Sequence, residues 1–270
     1  MSTTTAKRAD GRAGDELRPV VFEAGPAPAA AGSALVKMGR THVLCAATVE
    51  NRVPRWMIQQ RVAGGWLTAE YSLLPYATAE RTAREATQGK LGGRTQEIQR
   101  LIGRALRSVT RLEKLGQRTI WLDCDVIQAD GGTRTAAITG AWIALRLAVD
   151  RLLDAGDLKE NPLTDGVAAV SLGIVDDELR LDLAYEEDSR AAVDMNVIMT
   201  HGGRFIEVQG AAEREPFTRE QLDGMLALAA RGVEQLKAAQ VAFLETQRRR
   251  TVRPAAPATP PLATLGDLMK

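Results

Sequence analysis

Two periodicities divide the chain into strands and helices. From Gly32 to Val49 apolar and polar positions alternate on either side of Gly39-Arg40, with Leu35 and Lys37 before the turn and Val43, Cys45 and Ala47 after it. That pattern predicts a half-buried hairpin. "GWLTAEYSLLP" (65–75) predicts a further strand, ended by Pro75, and the polar stretch up to Gly93 predicts a loop. From Thr95 onward Ile98, Leu101, Ile102, Ala105, Leu106, Val109 and Leu112 recur at three- and four-residue steps. They form one apolar stripe of a helix, whose other faces carry Arg100, Arg104, Arg107 and Arg111. "TIWLDCDVIQ" (119–128) alternates again, with Ile120, Leu122, Cys124 and Val126 on one side. Residues 135–153 are mostly apolar, which predicts a largely buried helix stopped at Gly156.

After a boundary at "NPLTDG" (161–166) the order repeats. Strands are expected near 167–175, 179–185, 194–200 and 204–209, with a turn at His201-Gly202-Gly203, and then an amphipathic helix over 218–246. Each half runs strands first and helix afterwards, so the expected class is α+β with two related modules packed together. The expected division is a flexible N-terminus (1–9), a first module (10–156), a second module (157–246) and a basic, Pro/Ala-rich disordered tail (247–270).

Composition narrows the setting. No stretch reaches the roughly 18 apolar residues of a membrane span, and the first residues do not resemble a signal peptide. Cys45 and Cys124 lie in apolar strands without a metal-ligand spacing and read as reduced core residues, so a cytoplasmic setting is expected. The net charge of +1 conceals an uneven spread: Tyr76 to Arg118 holds ten basic residues against four acidic ones. Arginine also dominates lysine, and its planar fork takes phosphate oxygens two at a time. A basic segment on a near-neutral chain suggests a local polyanion site, although a solvated helix face would give the same count.

Three constellations carry candidate chemistry. In "QADGGTRTAAITGAW" (128–142) a strand meets a helix through Gly131 and Gly132, followed by Thr133 and Arg134. Glycines allow backbone N–H groups to converge, the helix start adds unpaired N–H groups, and arginine adds a full charge, together suiting an anion of phosphate size. A plain glycine turn with a surface arginine would look alike. No lysine follows in the nucleotide-triphosphatase position, which argues against an ATPase. "GGRTQEIQ" (92–99) repeats the arrangement with Arg94 near a second helix start, Thr95 or Arg94 near its cap and Glu97 favouring its first turn. Third, if the strands ending near Tyr185 and beginning near Asp194 pair as a hairpin, Asp188 and Asp194 flank one loop and could bind Mg²⁺ or share a proton, with Glu186 and Glu187 facing water. Ordinary loop carboxylates remain the alternative. With only His42 and His201, a Ser-His-Asp triad and a zinc site are both disfavoured.

The blocks "DGR…ELRP" (10–19), "GWLTAEYSLLP", "GRTQEIQRLIGR" (93–104), "DCDVIQADGGTRTAAITGA" (123–141), "EEDSRAAVDMNVIMT" (186–200) and "IEVQG" (206–210) resemble, in order from about residue 7 to 246, the bacterial ribonuclease PH family. The resemblance implies two βαβ-type modules of the ribonuclease PH fold, like the second domain of ribosomal protein S5. It implies an enzyme, a tRNA nucleotidyltransferase that uses inorganic phosphate to trim nucleotides beyond the 3′-CCA end of precursor tRNA. Nucleoside diphosphates are released, the reverse addition is available, and rRNA processing or decay is a further implied role. It implies Mg²⁺ and a homohexamer built as a trimer of dimers. By the same resemblance Arg94, Gly132, Thr133 and Arg134 take phosphate, Asp188 and Asp194 serve the metal and catalysis, and Arg81 and Arg84 contact RNA. Tyr76 stands where many relatives carry arginine, so that RNA contact is either lost or replaced by stacking on a base; Arg214 stands where glycine is common. The rival readings are a non-catalytic RNA-binding ring subunit and a metal-dependent hydrolytic nuclease.

Overall fold

A computed structural model describes residues 8–252. Its first half is a five-stranded sheet in the order β1-β2-β3-β5-β4. The strands are β1 (Val20–Ala24), β2 (Gly32–Met38), β3 (Thr41–Glu50), β4 (Trp66–Leu73) and β5 (Thr119–Gln128). The predicted hairpin is β2–β3, and its turn falls at Gly39, whose φ of 56° lies in the region glycine enters without steric cost. β1 escaped the periodicity because it is short and mostly exposed at the sheet edge. β4 runs parallel to β5, so the segment between them must cross over. It does so through the loop and α2 (Gly93–Arg107), whose Ile98, Leu101, Ile102, Ala105 and Leu106 are buried and which packs on β4. The apolar stripe outlasts that helix: Val109 lies beyond it and Leu112 opens a separate turn of 3₁₀ helix. A short helix α1 (Arg55–Gln59) precedes β4.

The long apolar helix is α3 (Thr133–Asp154). It packs on β2, β3 and β5 of the first sheet and on β6 (Val167–Val175) of the second, which explains why it is apolar nearly all round. The second sheet runs β7-β6-β8-β9, with β7 (Glu178–Leu181), β8 (Val193–Thr200) and β9 (Phe205–Ala212). Every residue of β6 is buried, as befits a central strand covered by α3 and by α5 (Arg219–Val252). Cys45 and Cys124 are free, buried and directly opposite each other across β3 and β5.

Four expectations need correction. The strand expected to reach Tyr185 ends at Leu181, and Tyr185–Asp188 forms a one-turn helix, α4. β7 pairs with β6 and not with β8, so the supposed hairpin does not exist. Arg8, assigned to a flexible terminus, is buried at 4% exposure. The segment expected to be disordered from residue 247 is helical through Val252; the rest of that stretch, like residues 1–7, lies outside the described residues.

Candidate active site

The first sheet delivers its chain into the site through β5. Ala129 N donates to Ala77 O (2.7 Å) and Asp130 N to Thr41 Oγ1 (2.9 Å), while Thr41 Oγ1 donates to Gly131 O (2.6 Å), so the turn is tied to its own sheet. Gly131 (φ 76°) and Gly132 (φ 64°) then reverse the chain into α3. A Cβ on Gly131 would sit 2.5 Å from Leu183 O and 2.9 Å from Tyr185 N, so glycine here allows the turn to touch the backbone leading into α4. The first N–H groups of α3 have no partner within the helix and face outward with the positive end of its dipole. The Tyr71 hydroxyl donates to Thr133 Oγ1 (2.9 Å), leaving the threonine proton free to donate; burial raises the tyrosine pKa, which keeps it a donor.

Arg134 is only partly exposed and is held by neighbours from two other elements. Its Nη1 lies 3.4 Å from Glu97 Oε1 on α2 and donates to Gln209 Oε1 on β9 (3.2 Å), and Gln209 Nε2 in turn donates to Glu97 (3.1 Å). Glu97 thus holds the arginine of the other helix start. Arg94 is exposed on the first turn of α2, whose N-cap is Gly92. Thr95 does not cap that helix: Glu85 from the preceding loop accepts from Thr95 Oγ1 (2.8 Å) and from Gly92 N (3.0 Å). The charges of Arg94 and Arg134 each offset part of the rise that burial gives Tyr71, Asp188 and Asp194, so both lie near all three groups. The two helix starts, 40 residues apart in sequence, therefore face one region.

The carboxylates reach that region by a route the sequence did not suggest. Asp188 ends α4, which follows β7, while Asp194 lies on β8; β6 separates the two strands, yet Asp188 is the largest charged influence on Asp194. Burial, then the Asp188 charge, raises Asp194 to about 6; burial also raises Asp188, against the pull of Arg94, Arg134 and Arg18. Glu186 is exposed as expected, but Glu187 is not. It is 4% exposed and accepts from Arg8 Nε (2.8 Å) and Nη2 (2.6 Å), with Arg180 at 3.4 Å, because the one-turn helix points it inward where a loop would have pointed it out.

Of the loop residues, Tyr76 (66% exposed) and Arg81 are exposed beyond β4. Arg84 is exposed too but also borders a cavity with Glu70, Asp123 and Asp125, where its charge offsets part of the rise that burial gives the Asp125 pKa. The alternation of β5 already put Asp123 and Asp125 on the face opposite its buried residues, but nothing in the sequence paired them with Glu70 or Arg84. Nor could it reveal Tyr71 under Thr133. His201 is engaged by Gln240 (2.7 Å) beside Trp142, and among the described residues no group of three His, Cys, Asp or Glu could hold a metal.

A glycine turn at a helix start, two arginines and two raised carboxylates thus come from both sheets toward one region. Models of the 3′ exoribonuclease family match the chain in two parts, domain 1 over residues 16–149 and domain 2 over 165–232, and the chain belongs to this family. It is 60% identical over 233 residues to ribonuclease PH of Moorella thermoacetica, covering 86% of this chain and 92% of that protein. Ribonuclease PH of Bacillus subtilis is 58% identical over 231 residues, covering 85% and 93%. More distant structures share the fold. An Archaeoglobus fulgidus exosome with RNA bound to the active site matches with a TM-score of 0.73 at 22% identity over 86% of this chain and 92% of that one. An archaeal exosome core matches at 0.66 and 20% identity, over 87% and 91%.

Proposed function

We propose that this chain matures tRNA by phosphorolysis, with Arg94, Arg134, Thr133 and the N–H groups after Gly132 holding inorganic phosphate beside Asp188 and Asp194. Phosphorolytic 3′→5′ exoribonuclease activity accords with its high identity to ribonuclease PH proteins. The observation that carries the residue assignment is the convergence of the two arginines, 40 positions apart, on the same pair of raised carboxylates.

In this reading an oxygen of the held phosphate attacks the last phosphodiester in line, the bond to the upstream 3′ oxygen breaks, and a nucleoside diphosphate is released. Nucleophile and target are both anions, so two guanidinium groups and a helix start lower the barrier by offsetting their repulsion before reaction begins. Asp194, raised to about 6 when no cation is bound, is suited to proton exchange near neutral pH, a role it gives up wherever the pair holds a cation. The pair also suits Mg²⁺: neither carboxylate has an ion-pair partner among the described residues, and two acids without a third ligand match a cation that takes its other oxygens from water and substrate. Asp188 and Asp194 would hold it. Bound there, it would withdraw charge from phosphoryl oxygens.

Tyr76, Arg81 and Arg84 would hold the RNA strand upstream, the arginines on phosphates and the tyrosine against a base. A homohexamer built as a trimer of dimers and a cytoplasmic setting complete the reading; the first is checked by light scattering on the purified protein. No described helix is long and apolar enough to cross a membrane. Incubation of a 3′-extended tRNA with Mg²⁺, with and without phosphate, tests the whole. Nucleoside diphosphates formed only with phosphate support it. Monophosphates formed without phosphate indicate hydrolysis, and intact RNA under both conditions indicates a binding subunit.

A further inference from the structure

The phosphate turn and the Asp188 segment belong to different sheets, yet the chemistry needs them in fixed register. Backbone contact at Gly131 brings them together but does not by itself hold them. One buried side chain bonds to both. Arg18, 5% exposed, lies in the segment before β1. Its backbone N donates to Asp182 Oδ2 (2.8 Å), its Nε to the same oxygen (2.9 Å) and its Nη2 to Asp182 Oδ1 (2.6 Å). The far side of the same guanidinium faces the phosphate turn: Nη1 donates to Asp130 O, and Nη2 reaches Gly131 O at 3.4 Å.

Asp182 is fully buried and begins the stretch that leads through α4 to Asp188. Its φ of 52° turns the chain out of β7, and its own N–H is tied to Ser171 O on β6 (2.7 Å). Other arginines brace the same stretch from one side only. Arg8 donates to Leu181 O (2.8 Å), Asp182 O (3.0 Å) and Glu187, and Arg12 reaches Asp182 O at 3.2 Å. Arg18 alone among these three also bonds to the phosphate turn. Its planar fork makes this possible, since one edge matches a carboxylate while the remaining N–H groups diverge toward carbonyls.

We infer that Arg18, with Asp182, is a positioning residue that sets the distance between the phosphate cradle and the Asp188–Asp194 pair. It touches neither substrate nor metal in this reading. It acts through Asp130 and Gly131 on one side and through Asp182 on the other. The inference rests on the assignment of phosphate and catalysis made above.

The test uses the full-length protein with 3′-extended tRNA, Mg²⁺ and varied phosphate. Arg18→Lys keeps a charge for Asp182 but cannot span both partners. The double variant Arg18→Gln/Asp182→Asn removes both buried charges together, which spares the fold the cost of one unpaired ion, and asparagine tolerates a positive φ. Near-ultraviolet dichroism gives the folded fraction, and rates are expressed per folded molecule. The expected result is a kcat lower by roughly 100-fold in the double variant, as for a small misplacement of reacting groups, with a raised KM for phosphate and unchanged tRNA affinity. Arg18→Lys should fall between that variant and the original protein. Original kinetics per folded molecule in either variant overturns the inference, and so does a defect confined to tRNA affinity. If the unaltered protein releases monophosphates without phosphate, the phosphorolytic reading fails instead, so the two failures are told apart in one experiment.

Discussion

Asp194 is the residue on which burial acts most visibly. Its raised pKa means that folding makes its ionised form costlier than in the unfolded chain, so without a cation it keeps its proton up to about pH 6. Because the folded value exceeds the unfolded one, the stabilisation from its protonated form is present at low pH and is lost as pH rises through about 6. Asp194→Asn should therefore melt higher than the original protein in chelator at neutral pH, by an amount of order 1–2 kcal/mol or about 2–8 °C, and this gain should shrink as pH falls through 6. The same variant should lose turnover while binding tRNA with unchanged affinity, read by gel shift. Equal melting points at neutral pH would remove the electrostatic basis of the site. Arg134 makes a complementary prediction. Arg134→Ala should raise the KM for phosphate by about 10–100-fold, the worth of a charge-assisted hydrogen bond or two, with tRNA affinity unchanged. A fall in tRNA affinity with phosphate KM intact would assign Arg134 to the RNA instead.

At the scale of elements, the pattern of the sequence was readable wherever burial is one-sided. Alternation in β3 and β5 and the stripe on α2 marked their buried faces, because each of those positions packs against one layer, whereas in β2 the buried face is Ala34, Val36 and Met38 and not that of Leu35 and Lys37. It was less readable around α4, where three acids in a row suggested a solvated loop and one of them, Glu187, is buried against arginines far away in the chain. Strand order was not readable at all for β7 and β8, since adjacency in sequence suggested a pairing that β6 occupies in the fold. The glycine turn into α3 was legible as Gly-Gly-Thr-Arg, but the reason for Gly131 was not: it is the backbone of Leu183 to Tyr185, more than 50 positions away. Gly131→Ala should force these segments apart and strain a positive φ, costing about 1–3 kcal/mol in stability and most of the turnover. Denaturant titration beside the phosphorolysis assay checks it, and a stable, active variant would contradict the close approach.

For the molecule as a whole, α3 links the two sheets, and the turn before it meets the stretch before α4, where the proposed phosphate and carboxylate residues lie. In the proposed reading RNA passes the loop between β4 and α2, where Arg81 and Arg84 are both exposed but only Arg84 also lies near Asp125. Arg81→Ala should therefore flatten the salt dependence of tRNA binding by close to one phosphate contact, and Arg84→Ala by less. Equal slopes for both variants would show that Asp125 does not restrain Arg84. The central claim, that phosphate held between Arg94 and Arg134 is itself the nucleophile, has a direct measurement. Radiolabelled inorganic phosphate is supplied with unlabelled 3′-extended tRNA, and the position of the label in the released nucleotide is determined. The account predicts label in the terminal phosphate of a nucleoside diphosphate, at a rate that collapses in Arg134→Ala. Unlabelled nucleoside monophosphate released from the unaltered protein would contradict it.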